Sequence, residues 1–154
     1  MEQLVRDGLV RAIGVSNFRS RDLKALHESL AEEQQQQQQE PKESAADLST
    51  GDASCAPAAP LDRIPPCIPP CVNQVERHLL LQQPNLMETC KQMNMVVGAY
   101  SPLVPLTHPL AHTHPMHPAP VMAAAQAIGD AHGGKSTAAV LLAWSRQSGC
   151  VTVR

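Results

Sequence analysis

The run RAIGVSNF, residues 11–18, is apolar and strand-like until it ends on a hydroxyl, a carboxamide and a phenyl ring, Ser16, Asn17 and Phe18. Strand ends are where α/β folds keep their binding groups, because a rigid sheet holds the loops there. A hydroxyl and a carboxamide can donate to and accept from a polar ligand, although by themselves Ser16 and Asn17 equally suit a turn or a helix cap. Two further stretches end the same way. VNQVERH places Gln74 and Glu76 at a short strand's end, and VVGAYSPL places Tyr100 and Ser101 there, with Pro102 stopping the ladder for want of an N–H. Alone, Gln74 and Glu76 read as strand-end polar residues and Tyr100 as a core ring with its hydroxyl satisfied. Phe18 and Trp144 read as packing residues.

Metal chemistry has two candidates. Cys67 and Cys71 stand four apart in CIPPC, but rigid prolines separate them and no second pair exists, so they read as linker residues and not as a zinc site. His108, His112, His114 and His117 offer imidazoles for Zn²⁺, Ni²⁺ or Cu²⁺, yet a proline-rich loop does not preorganise them and no carboxylate supports them. No metal is expected. The five cysteines, an odd set, fit free thiols in a reducing compartment.

Strands and helices must alternate to position these residues. MEQLVRDG predicts a short helix ended by Gly8, and residues 9–15 predict a strand. A helix follows, with Ser20 as its cap and Leu23, Leu26 and Leu30 on one face. Over 32–70 the pattern fails: six consecutive glutamines, then Ser, Asp, Gly and many prolines, predict a disordered low-complexity insertion. Order returns with a strand over 72–76, a helix near 84–93, and a third strand in MVVGAYSPL. A His/Pro-rich loop over 104–120 precedes helices near 121–131 and 136–147, with Ser136 as cap and Gly149 as stop, and CVTVR begins a fourth strand. Short apolar strands alternating with helices imply parallel pairing through right-handed crossovers. The chain therefore divides into a first strand and helix, 1–31, the insertion, 32–70, and the remainder, 71–154.

Composition narrows the function further. The 154 residues carry a net charge of −2 with no basic stripe, which argues against nucleic acid. No apolar run approaches the roughly 20 residues that span a bilayer, and the first residues do not form a signal peptide. The expectation is a cytoplasmic protein with no membrane partner.

LVRDGLVRAIGVSNF, VNQVERH, VVGAYSPL and KSTAAVLLAWSRQSGCVTV occur in that order, separated by helices, and together they resemble the C-terminal half of the aldo-keto reductases. The resemblance implies an α/β fold, a partial (β/α)₈ barrel containing the fifth to eighth strands, and NADPH-dependent reduction of a small carbonyl compound. Carried over, Ser16, Asn17 and Gln74 would hydrogen-bond the nicotinamide carboxamide. Tyr100 would stack on the ring, and Ser101 and Leu103 would lie near the pyrophosphate. The chain departs from the family pattern at Val104, for a glycine, at Leu79, for a proline, and at Arg154, for a Lys-Ser turn.

The same resemblance implies what these residues do not supply. The family's general acid is a Tyr assisted by Lys, Asp and His from the first half of the barrel, and the single tyrosine here is in the stacking context. The expectation is a fragment of an NADP-dependent oxidoreductase, inactive alone, whose partner is a complementary first-half barrel. The competing expectation is a non-catalytic interaction or scaffold protein that uses its glutamine-rich and His/Pro-rich segments.

Overall fold

The computed structural model describes residues 1–39, 67–107 and 118–153. They fall into two compact units, Met1–Ile13 with Asp22–Pro69, and Gly14–Arg21 with Pro70–Arg154.

The first unit is helical. α1, Glu2–Arg6, closes with the Asp7 N–H on Gln3 O at 2.8 Å, and Gly8 takes φ 70° as the sequence predicts. The strand expected over 9–15 is reduced to three residues. Leu9 and Val10 donate their N–H groups to Leu4 O, at 2.9 and 3.1 Å, so the end of α1 uses the donors that a longer ladder would need. α2, Ser20–Gln39, begins on Ser20, which is thus inside the helix and not its cap. It continues through all six glutamines, well past the expected boundary at 31, because glutamine is a good helix former and each residue added to a started helix gains a hydrogen bond. Residues 40–66, most of the expected disordered insertion, lie outside the described residues. Cys67 is packed and not a linker residue: it is 2% exposed with Sγ 3.3 Å from Glu33 Oε2, and the Ile68 N–H donates to Glu2 at 3.3 Å.

The second unit is a four-stranded, fully parallel sheet in the order β1 (Gly14–Ser16), β2 (Val72–Glu76), β3 (Val96–Tyr100), β4 (Cys150–Thr152). Spatial order follows chain order. α3, Pro84–Gln92, crosses from β2 to β3. α4 (Val104–Thr107), α5 (Pro118–Ala131) and α6 (Thr137–Gln147) lie between β3 and β4. α4 was not expected, since its four residues are too few for a periodic signal. α5 starts earlier than the apolar pattern does, because Pro118 and Pro120 fall in its first turn, where a missing N–H costs nothing. α6 is capped as expected, Ser136 Oγ accepting the Ala139 N–H at 3.2 Å, and Gly149 takes φ 84°.

Burial separates the two faces of this sheet. Asn73, Val75, Val97, Ala99 and Cys150 are buried together with Leu86 and Cys90 of α3 and Leu141 and Ser145 of α6. The other face carries Gly14, Ser16, Val72, Gln74, Val96, Gly98, Val151 and Val153 around a cleft of about 440 Å³. Val96 and Val151 there are 44% and 58% exposed. Among the described residues no helix is long and apolar enough to cross a membrane.

Candidate functional site

Parallel pairing brings the C-terminal ends of β1, β2 and β3 to one rim. Ser16 lies in register with Gln74, Gln74 with Gly98, and Glu76 with Tyr100. The chain then turns sharply: Asn17 has φ 59° and Ser101 φ 55°, left-handed values that asparagine tolerates better than most residues. Gln74 O receives two hydrogen bonds from the β1 loop, from Ser16 Oγ at 3.0 Å and from the Asn17 N–H at 2.9 Å. Tyr100 reaches across from β3 and donates its hydroxyl to Asn17 Oδ1 at 3.0 Å.

Two of the expected residues therefore keep unused hydrogen-bonding capacity at this rim. Among the described residues the Gln74 side chain makes no hydrogen bond, and its Cγ lies over Gly98, 3.5 Å from where a Cβ would stand. Asn17 accepts from Tyr100 through Oδ1, which leaves its Nδ2 group to donate elsewhere. A ligand carboxamide, with one acceptor and two donors, would find complementary groups in Gln74 and Asn17. Ser101 and Leu103 lie past β3 at the turn into α4, where the Val104 N–H donates to Ser101 O at 3.2 Å.

Behind the rim, polar residues that pattern reading did not single out tie the elements together. Asn73, wholly buried, donates from Nδ2 to Phe18 O at 2.9 Å. The signal was the strand's alternation, which puts Asn73 and Val75 on the buried face while Gln74 is on the other. Arg77, 5% exposed, donates to Gln82 O at 3.0 Å and Ser148 Oγ at 2.7 Å, and its guanidinium lies 4.7 Å from the centre of the Trp144 ring. The packing role expected of Trp144 is thus a stacking role on a buried cation. His78 accepts the Leu80 N–H through Nδ1 at 3.2 Å, so its proton sits on Nε2, 3.4 Å from Glu76.

No disulfide joins the described cysteines. Burial pushes the Cys90 thiol above its ordinary pKa; a hydrogen bond with Asn73 pulls it part of the way back, and nearby Cys150 adds to the rise. Burial likewise raises Cys150, against the opposing pull of the Arg77 charge. Both are protonated and unreactive near neutrality. Among the described residues no three or more His, Cys, Asp or Glu cluster to hold a metal, and the four His of the 104–120 loop lie outside them.

An uninterrupted run of parallel strands with helical crossovers, carrying polar residues at the strands' C-terminal ends, is the architecture of a (β/α) barrel segment. Comparison with known proteins agrees. The chain is 31% identical over 153 residues to aldose reductase B of Dictyostelium discoideum, covering 99% of this chain and 34% of that protein. It is 31% identical over 156 residues to the NAD(P)H-dependent D-xylose reductase of Scheffersomyces stipitis, covering 99% of this chain and 37% of that one. A crystal structure of an aldo-keto reductase complexed with NADPH superimposes with a TM-score of 0.66 at 28% identity, over 99% of this chain and 36% of that one. No family model matches. Over almost its whole length the chain is similar to the C-terminal portion of aldo-keto reductases, an oxidoreductase family. It spans about a third of the length of these relatives.

Proposed function

We propose that this chain forms the nicotinamide side of an NADPH site in an aldo-keto reductase barrel, with Asn17, Gln74 and Ser16 fixing the nicotinamide carboxamide. The single observation that carries the reading is the meeting of Ser16, Asn17, Gln74 and Tyr100 at the C-terminal ends of three adjacent parallel strands, with the Gln74 carboxamide and the Asn17 Nδ2 group left unpaired among the described residues. Bound there, NADPH would supply the hydride for reducing an aldehyde or ketone. The protein's part is orientation. Gln74 and Asn17 hold the carboxamide, which sets the ring face turned toward substrate, and Ser16, already tied to Gln74 O, keeps the loop in place. Tyr100 supplies an aromatic face for the ring, and Ser101 and Leu103 line the path toward the pyrophosphate.

The proton for the alkoxide comes from elsewhere. Tyr100 is the single tyrosine of the sequence, and its hydroxyl is engaged with Asn17 in the stacking position. The open face of the sheet, with Val96, Val151 and Val153, and the edges β1 and β4 are where the remaining strands of a barrel would pack, whether from the same polypeptide or another. Those strands would bring the Tyr, Lys, Asp and His of the acid machinery. The purified 154-residue chain is expected to show no NADPH-dependent reduction of model aldehydes. Turnover that survived Tyr100→Phe would reveal an acid elsewhere in these residues, and turnover abolished by it would mean that Tyr100 itself is the acid. Either result contradicts the assignment.

A further inference from the structure

Asn73 stands one residue before Gln74 on β2, on the opposite face, and none of its surface reaches solvent. Its Nδ2 group donates to the carbonyl of Phe18 at 2.9 Å, while its Oδ1 is buried with no hydrogen-bond partner among the described residues. A carbonyl only accepts, so the nitrogen end of the amide must face Phe18 and the oxygen is left stranded. Stranding a buried acceptor is costly, and a leucine of similar volume would fill the space without that cost. What Asn73 provides and leucine does not is the N–H on Phe18, along with a hydrogen bond to the buried Cys90 thiol, and of the two only the Phe18 bond reaches the loop.

We propose that Asn73 is a positioning residue for the loop Ser16 to Phe18: it grips the loop's downstream end and thereby sets the left-handed turn at Asn17. The upstream end is held by Gln74 O, which receives Ser16 Oγ and the Asn17 N–H. Consecutive residues of β2 thus fix the loop on both sides of Asn17, whose φ of 59° leaves its carboxamide within reach of Tyr100 at the rim. Without the downstream tie the Phe18 peptide can rotate, and Asn17 can relax toward the negative φ that L-residues prefer. The proposal rests on reading Ser16, Asn17 and Gln74 as cofactor contacts.

Hydrogen exchange of the full chain, read by mass spectrometry without cofactor, tests it. Asn73→Leu is expected to speed exchange of the Asn17 amide about tenfold or more while the amides of β3, Val96–Tyr100, keep their protection. Asn73→Asp adds a readout that a purely structural role would not give. As a neutral acid it can donate its O–H to Phe18 O, and as a carboxylate it cannot. After correction for intrinsic exchange, protection of Asn17 should therefore recover as pH falls and vanish as pH rises, a dependence absent from the unmodified chain. Unchanged protection of Asn17 in a folded Asn73→Leu chain overturns the proposal, as does a flat pH response in Asn73→Asp. Loss of β3 protection in both variants also overturns it, since Asn73 would then serve the core as a whole. Because no cofactor is present, these outcomes are independent of whether NADPH binds.

Discussion

Asn17 occupies a backbone conformation that costs most L-residues about 1–2 kcal/mol, and its side chain accepts the Tyr100 hydroxyl. Asn17→Ala loses both the tolerance and the bond, and is expected to lower stability by roughly 1–2 kcal/mol. Asn17→Gly loses only the bond and should cost less than half as much; urea denaturation at one protein concentration separates them. The buried thiols make a second prediction. Cys90 and Cys150 have folded-state pKa values raised by burial, so they stay protonated after the unfolded chain's thiols have begun to ionise. Their contribution is complete below the unfolded value, near 8.5, and falls as pH rises from there toward the raised folded values. Thermal melts between about pH 7 and pH 10 should show a decline that is smaller in Cys90→Ala than in the unmodified chain, once both are referred to their neutral-pH stability. At this scale the sequence made legible only the placement of Ser16, Asn17, Gln74 and Tyr100 at or beside strand ends, where residue type and strand end coincide. It was silent about Asn73 and Arg77, whose roles come from long-range partners, Phe18 and Trp144, that only the folded chain supplies.

Among the elements, β2, β3 and α6 follow their patterns closely because local signals agree: alternation in VNQVE, an apolar run ended by proline, and a serine cap ahead of a helix ended by glycine. β1 and α2 differ from expectation for reasons that composition does not carry. The N–H groups before β1 are taken by Leu4, and the glutamines prolong a helix that was already started. The α5–α6 connection shows how tightly elements meet. Gly129 of α5 faces the carbonyl of Lys135 so closely that a Cβ would collide with backbone, and Gly129 O in turn accepts the His132 and Lys135 N–H groups. Gly129→Ala, ordinarily helix-stabilising, is therefore expected to destabilise by about 1–3 kcal/mol, which a lowered melting temperature would register. A neutral or stabilising outcome would mean that the turn can shift at no cost.

At the scale of the molecule, a parallel sheet covered by helices on one face and lined with exposed valines on the other is incomplete as a burial arrangement, since parallel sheets are ordinarily covered on both faces. The fold class was legible because parallel order needs only alternating strands and helices. A complementary set of strands should stabilise this chain by an amount that grows with the logarithm of its concentration above the dissociation constant, by mass action. Whether Asn17, Gln74 and Ser16 hold the nicotinamide of NADPH, as proposed, is tested by calorimetric titration of NADPH into this chain complexed with the first four strands of a homologous aldo-keto reductase. Saturable binding is expected that weakens about 5- to 30-fold on Asn17→Ala, the loss of a hydrogen bond worth about 1–2 kcal/mol. Binding of equal strength in the unmodified, Asn17→Ala and Gln74→Ala complexes would contradict it.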